Sequence, residues 1–182
     1  MKKERRPAMR WRDLPAFVEA RLRGIEAGEG AGEVLPFAIL TGVRSARCAA
    51  RWDEFNLDAG TWTVLGGRMK AQEPHRVPLS LPALVKWLKE QRRHESQVFS
   101  SPRGKVLSDM TLTVLLRRVK ARKDTPGRVA TAHGFRSSFR DWVSEHGYAL
   151  DLCERALAHT VVVDQVEAAC HRTDLLEHRA AL

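Results

Sequence analysis

The sequence predicts a mostly α fold with a small antiparallel β-sheet (α+β). Apolar residues recur at helical spacing along most of the chain, and they alternate as strand residues do only near residues 61–79. A chain of 182 residues is long enough for a hydrophobic core of its own, and 43% hydrophobic with 29% charged residues is typical of globular domains. We therefore expect residues 1–182 to form a single domain.

Two helical segments are expected ahead of the sheet. Apolar residues lie at helical spacing within residues 11–24, and a glycine-rich break follows at residues 28–32. The next segment, residues 33–50, is again apolar, and Gly42 permits a sharp bend within it. Arg44 should therefore lie just beyond a change in chain direction.

The sheet is predicted from two strands and the loop that joins them. Residues 61–65 alternate between apolar and polar side chains, and residues 75–79 form a second strand that Pro78 confines to a sheet edge or end. Lys70 lies on the connecting loop. Residues 98–99 are expected to add a short third strand.

The rest of the chain is predicted to be helical, over residues 81–93 and again from Ser108 onward. His133 and Arg136 are three residues apart, so we expect them to share one face of a helix. They should sit at the edge of an apolar stripe on that helix, which consists of Phe135, Phe139, Trp142 and Val143.

The charge of the chain points to a polyanionic partner. Lysine and arginine outnumber aspartate and glutamate by 31 to 22, which gives a formal net charge of +9. A basic surface attracts nucleic acid at long range, and neutralised phosphates release their counterions. We therefore expect nucleic acid as a partner, and the alternative is a solvated surface that happens to be basic.

Other features of the sequence bear on where the chain acts. No run approaches the roughly 20 apolar residues of a membrane span, and residues 1–6 are basic without the apolar stretch of a signal peptide. The three cysteines show neither paired nor metal-like spacing, which suits a reducing compartment. We expect a cytoplasmic, nucleoid-associated protein with no membrane contact, no metal and no cofactor.

Five cationic or imidazole side chains stand in characteristic local sequences. The longest is residues 131–142, which read Thr-Ala-His-Gly-Phe-Arg-Ser-Ser-Phe-Arg-Asp-Trp. The five side chains, in chain order, are Arg44, Lys70, His133, Arg136 and His159. In these contexts, and in this order, the chain resembles the catalytic domain of the tyrosine recombinases, in particular the integrases of prophages and genomic islands.

The resemblance implies a role for each of these residues in phosphoryl transfer. Arg44 and Arg136 would hold the non-bridging phosphate oxygens, because a guanidinium binds two oxygens at once and keeps its charge. Lys70 would protonate the leaving 5′ oxygen. His133 would serve in proton transfer, and His159 would donate a hydrogen bond to the phosphate.

Three of these residues also have a structural interpretation. Arg44 could be a surface charge at a helix start, and Lys70 a solvated loop residue. His159 could cap the preceding helix through its last carbonyl groups. Because all five occur together in the family's order, we favour the functional interpretation.

The chain departs from the family where the nucleophilic tyrosine belongs. Alignment of the flanking residues places Cys170 at that position. Its sulfur lies much closer to the backbone than a phenolic oxygen, and position 170 falls on an apolar stripe, so a buried, inert thiol is expected. Tyr148 is the only tyrosine and lies in a loop, from which we do not expect it to attack.

Further departures lie around the same site. Arg47 stands where the family has an acidic residue that orients the first arginine. Compared with the family, the segment from residue 44 to 52 is shorter by one residue. The segment from residue 159 to 170 is longer by one residue. We therefore expect this DNA-binding catalytic domain of a site-specific recombinase to be degenerate and impaired in cleavage.

The resemblance also leaves the assembly open. The arm-binding and core-binding domains that precede the catalytic domain in the family are absent from this chain, so fewer phosphates would be contacted. The alternative is a non-catalytic DNA-binding or protein-assembly module, with residues 174–182 docking on a neighbouring protomer. The partner would be a second copy, or an intact recombinase in a mixed assembly.

Overall fold

A computed structural model of the chain describes residues 7–22, 31–44, 49–69, 72–90, 96–101, 106–121, 129–159 and 173–182. It divides into two units. The first unit comprises Met1–Ala49 with Phe99–Trp142, and the second comprises Ala50–Val98 with Val143–Leu182. Each unit therefore combines two separate stretches of sequence.

Helices account for most of the regular structure in the described ranges, which confirms the predicted fold class. None of these helices is long and apolar enough to cross a membrane. The three strands are β1 (Phe55–Asn56), β2 (Thr61–Val64) and β3 (His75–Pro78). The helices are α1 (Leu14–Arg21), α2 (Ala31–Thr41), α3 (Pro82–Glu90), α4 (Asp109–Arg118), α5 (Phe135–Glu145), α6 (Leu150–Ala156) and α7 (Leu176–Arg179).

The core of the first unit forms where α2 packs against α4. The ring of Phe37 on α2 lies 5.0 Å from that of Phe99, and both side chains are buried. On α5, Phe135 stacks on Phe17 of α1 with ring centroids 6.4 Å apart. Helix α2 ends at Thr41, and Gly42 follows with φ 61°, which confirms the predicted bend.

The sheet of the second unit is antiparallel, in the order β1-β2-β3. Thr61 pairs with Pro78 and Val64 with His75. Pro78 is the last residue of an edge strand, as predicted, because it has no backbone N–H to donate to a ladder.

The prediction of a third strand at residues 98–99 is wrong. Gln97 and Ser100 form isolated bridges, and the N–H of Val98 donates to the carbonyl of Ala50. The actual third strand, β1, is two residues long and stands directly before a turn. A strand this short carries no alternating pattern, so the sequence could not reveal it.

The segment from residue 173 to 182 packs on the second unit of its own chain. Helix α7 contacts β3 and α6. Asp174 accepts two hydrogen bonds from Arg76, at 2.7 and 2.8 Å, and Arg179 Nη1 donates to the Arg76 carbonyl at 2.8 Å. The hydroxyl of Tyr148 donates to the carbonyl of Ala181 at 3.1 Å. These contacts hold the segment on its own chain, whereas the alternative of a protein-assembly module would place it on a neighbouring protomer.

The Asp174 contacts predict how this segment responds to acid. The Arg76 guanidinium holds the pKa of Asp174 below its ordinary value. A lowered pKa stabilises the fold above the unfolded-state value and ceases to do so as pH falls through the folded-state value. Both side chains are substantially exposed, so solvent screening limits the contribution to about 1 kcal/mol or less. Asp174→Asn should therefore lower the free energy of unfolding at pH 7, and this deficit should shrink below about pH 4. Urea unfolding at several pH values measures it, and a constant deficit would contradict this.

Candidate functional site

Arg136 is buried in the first turn of α5, with 4% of its surface exposed. Its Nη1 donates a 2.6 Å hydrogen bond to the carbonyl oxygen of Gly42, which is 94 residues away in sequence. Carbonyl groups at a helix C-terminus lack helical partners and carry partial negative charge, so a cation is stabilised there. The sequence predicted Arg136 at the edge of the apolar stripe, and the structure adds that its head group is anchored inside the first unit.

Arg44 lies two residues beyond the carbonyl group that holds Arg136. Its Nε is buried, and within the described ranges it has no hydrogen-bond partner. Arg44 follows the end of α2 at Thr41, and residues 45–48, which include Arg47, lie outside the described residues. The structure thus brings the Arg136 guanidinium to the backbone segment that carries Arg44.

His133 is exposed and lies in a turn before α5, which begins at Phe135. The prediction that His133 and Arg136 share one helix is therefore wrong, although the N–H of Arg136 still donates to the His133 carbonyl at 3.2 Å. The turn forms because the N–H of Gly134 bonds to Thr131, both at its carbonyl and at its hydroxyl. A Cβ at Gly134 would overlap the carbonyl of Pro7, so only glycine fits this close approach.

His159 stands at the end of α6, in the second unit, and is tethered twice to Glu154. Its N–H donates to the Glu154 carbonyl at 2.9 Å, while the N–H of Ala158 donates to the Arg155 carbonyl at 2.9 Å. With Ala158 at φ 47°, this pattern is a Schellman motif. The side-chain Nδ1 of His159 lies 2.5 Å from Glu154 Oε2. The capping interpretation thus holds for the backbone of His159, and its ring pairs with a carboxylate.

Lys70 lies outside the described residues, but the residues on either side are described. The N–H of Gln72 donates to the carbonyl of Met69 at 3.1 Å. Arg68, two residues before Lys70, forms an ion pair with the buried carboxylate of Glu54. That carboxylate also accepts a hydrogen bond from Trp62 Nε1 at 3.0 Å. The described residue Arg68 is therefore held against Glu54, which is in turn bonded to Trp62 on β2.

Sequence reasoning missed Glu54 and Glu154. A signal for Glu154 was present, because a carboxylate five residues before a histidine can meet it across a helix C-terminus. The pairing of Glu54 with Arg68 spans 14 residues and depends on the sheet, so no local pattern predicts it. Cys170 lies outside the described residues, so its expected burial stays a prediction.

Residues 27–163 match the family model described as "Phage integrase family". The chain belongs to the phage integrase family. It is 31% identical over 182 residues to prophage integrase IntA of Escherichia coli (strain K12), covering 97% of this chain and 42% of that protein. It therefore spans less than half the length of this integrase.

Solved structures of two integrases show the same fold. The integrase from mycobacterium phage Brujita superposes with a TM-score of 0.68, at 22% identity, over 100% of this chain and 57% of that one. A lambda integrase(75-356) dimer bound to a COC′ core site superposes with a TM-score of 0.66, at 17% identity, over 96% and 62%. The fold of the chain, helices together with a small antiparallel sheet, is thus that of these two integrases.

Proposed function

We propose that this chain is the catalytic-type domain of a site-specific tyrosine recombinase, that it binds the backbone of double-stranded DNA in the cytoplasm, and that it is impaired in cleavage. The observation that carries this is the buried hydrogen bond from Arg136 to Gly42, which fixes one guanidinium beside the segment bearing another. Two guanidinium groups arranged in this way form a cationic site suited to a phosphodiester.

The Nε of Arg44, which has no hydrogen-bond partner among the described residues, supports the same proposal. A buried donor without an acceptor is costly, and a bound anion would satisfy it. A partly buried cation also acts on a phosphate more strongly than a solvated one, because less water screens it. Arg44 and Arg136 would hold the non-bridging oxygens, His133 and His159 would exchange or donate protons, and Lys70 would face the leaving 5′ oxygen.

The proposed function does not include a working nucleophile in this chain. Cys170 stands at the position of the family's tyrosine, and its thiol is too short to reach a phosphate placed for a phenolic oxygen. We assign residues 1–182 to the catalytic-like part of an integrase. Strand cleavage would need a tyrosine supplied by an intact recombinase in a mixed assembly.

Duplex DNA binding tests the proposed function. Contacts with about four phosphates would make affinity fall about 10²-fold between 50 and 200 mM salt. Fluorescence anisotropy with a labelled 30-base-pair duplex of mixed sequence measures this directly. An affinity that is undetectable at 50 mM salt, or that does not change with salt, would contradict the proposal. Sedimentation with and without an intact integrase tests the mixed assembly.

A further inference from the structure

We propose that residues 7–9 form a strap that positions Arg136 for a DNA phosphate. Thr131 and Ser138 are the positioning residues that hold the strap in place. The inference deepens the proposed function and rests on it. It follows from contacts within the first unit, where the strap lies against the start of α5.

The first anchor of the strap is the carbonyl of Pro7. It accepts two hydrogen bonds from Thr131, one from the backbone N–H at 3.1 Å and one from the hydroxyl at 3.2 Å. The same hydroxyl accepts the N–H of Gly134 at 3.0 Å, which helps to close the turn before α5. The side chain of Thr131 therefore joins the strap to the turn from which α5 begins.

The second anchor is the carbonyl of Met9, which accepts a hydrogen bond from the hydroxyl of Ser138. Ser138 is fully buried, and Met9 is 4% exposed. The hydroxyl also lies 3.5 Å from the carbonyl of Gly134, at the limit of a hydrogen bond, so Met9 offers the shorter of its two bonds. A buried bond of this kind cannot be exchanged for water without a cost, so it holds the strap against α5.

The strap also approaches α5 closely at Gly134. A Cβ added at Gly134 would overlap the Pro7 carbonyl and would lie 3.0 Å from the Cα of Ala8. The φ of Gly134 is outside the left-handed region, so alanine could adopt this backbone conformation without strain. Gly134→Ala would therefore act by displacing the strap.

The contacts with the strap flank Arg136. Gly134 precedes Arg136 by two residues, and Ser138 follows it by two residues. At the other end of the side chain, the guanidinium donates to the Gly42 carbonyl at 2.6 Å. The strap thus fixes the backbone of Arg136, and Gly42 fixes its head group. Because hydrogen bonds weaken steeply with poor geometry, both ends determine how well the guanidinium can meet a phosphate.

Releasing the strap is expected to weaken DNA binding. Thr131→Val and Ser138→Ala each remove one anchor, and Gly134→Ala displaces the strap. Each should lower the affinity of the full chain for the 30-base-pair duplex about fivefold at 50 mM salt, measured by anisotropy. None of the three substitutions changes the charge of the chain, so long-range electrostatics predicts no effect.

Two matched variants control for local damage. Thr131→Ser keeps the hydroxyl and should restore most of the affinity that Thr131→Val loses. Ser137→Ala removes an exposed hydroxyl next to Ser138 on the same helix, and it should leave affinity unchanged. Equal affinities for Ser137→Ala and Ser138→Ala would overturn the inference.

The double variant Thr131→Val/Ser138→Ala tests whether the two anchors act through one strap. Once one anchor has released the strap, removing the other should weaken DNA binding little further. A loss equal to the product of the two single losses would mean that each residue acts locally, and it would overturn the inference.

Hydrogen exchange gives a readout that a purely structural role would not change. The Thr131 amide donates to the Pro7 carbonyl, so its exchange reports opening of the strap. Because coupling is reciprocal, saturating DNA should slow this exchange about fivefold, and the slowing should be lost in Arg136→Met. The Val119 amide at the end of α4 is the control and should exchange at the same rate with and without DNA. An unchanged rate at Thr131 would overturn the inference.

If the wild type binds no DNA, the proposed function fails, and the free chain decides whether the strap positions Arg136. Nitrogen NMR of the arginine side chains follows the Arg136 guanidinium, assigned by its absence from Arg136→Met. Ser138→Ala should speed the exchange of its protons with water, because the bond to Gly42 loosens, and Ser137→Ala should not. A guanidinium that exchanges equally in both variants would overturn the positioning role.

Discussion

Replacing Arg136 with methionine is expected to weaken duplex DNA binding by about 10- to 100-fold, the equivalent of a charge-assisted hydrogen bond of 1.5–3 kcal/mol. The guanidinium is held against the Gly42 carbonyl by a 2.6 Å hydrogen bond and is almost fully buried. Methionine preserves the apolar stem but removes both the charge and the two-oxygen geometry. Anisotropy at several salt concentrations measures the loss, which should also reduce the salt slope.

Two further variants separate DNA contact from folding. Arg140→Met lies one turn farther along the same helix at an exposed position, and it should change affinity much less. Arg136→Met also leaves the Gly42 carbonyl without its donor, which should cost about 1–3 kcal/mol of folding free energy. Arg136→Lys keeps a charge and a donor, so it should fold more stably than Arg136→Met yet still bind DNA weakly. Equal affinity losses for Arg136→Met and Arg140→Met would argue against the phosphate site.

The second large effect is expected from Cys170→Tyr. Incubated with nicked duplexes that trap the cleaved strand, the wild-type chain should give no covalent protein–DNA adduct, whereas Cys170→Tyr should give one. The gain should be at least about 10²-fold, because even a 1 Å displacement of a reacting group costs that much in rate. Duplexes with a randomised core sequence, recovered through the attached protein and sequenced, would also report the preferred target.

The controls for this experiment test the chemistry of the attacking atom. Cys170→Phe supplies the same ring without a hydroxyl and should give no adduct. Adding Arg136→Met to Cys170→Tyr should remove most of the adduct if the guanidinium stabilises the transferring phosphate. An adduct with the wild-type chain would identify the thiol as a working nucleophile. No adduct in either chain would place the loss elsewhere, for example at Arg47 or in the altered segment lengths.

The features of this chain that sequence predicted well are those governed by local rules. The bend at Gly42, the strands around residues 61–78 and the edge position of Pro78 each follow from the conformational limits of one residue or from a two-residue period. The integrase fold was likewise predicted from its motifs, and the family match confirms it.

The features that were missed depend on contacts between distant residues. Arg136 is buried because a carbonyl group 94 residues away accepts its hydrogen bond, and no local sequence pattern around position 136 predicts this contact. The turn that holds His133 is closed by bonds between Gly134 and Thr131, and it lies against the distant Pro7 backbone, whose carbonyl accepts the N–H of Thr131. Glu154 is the exception, because its contact with His159 is local and a search for carboxylates around a helix end would have found it.

The anchoring of Arg136 also has a thermodynamic consequence. Because its head group is part of the packed interior, the proposed anion-binding geometry would exist only while the first unit is folded. Any polyanion that uses this geometry would bind the native state in preference to the unfolded one and would raise the melting temperature by mass action. Conversely, substitutions that loosen the packing of Phe37 on Phe99 would lower DNA affinity without touching a phosphate.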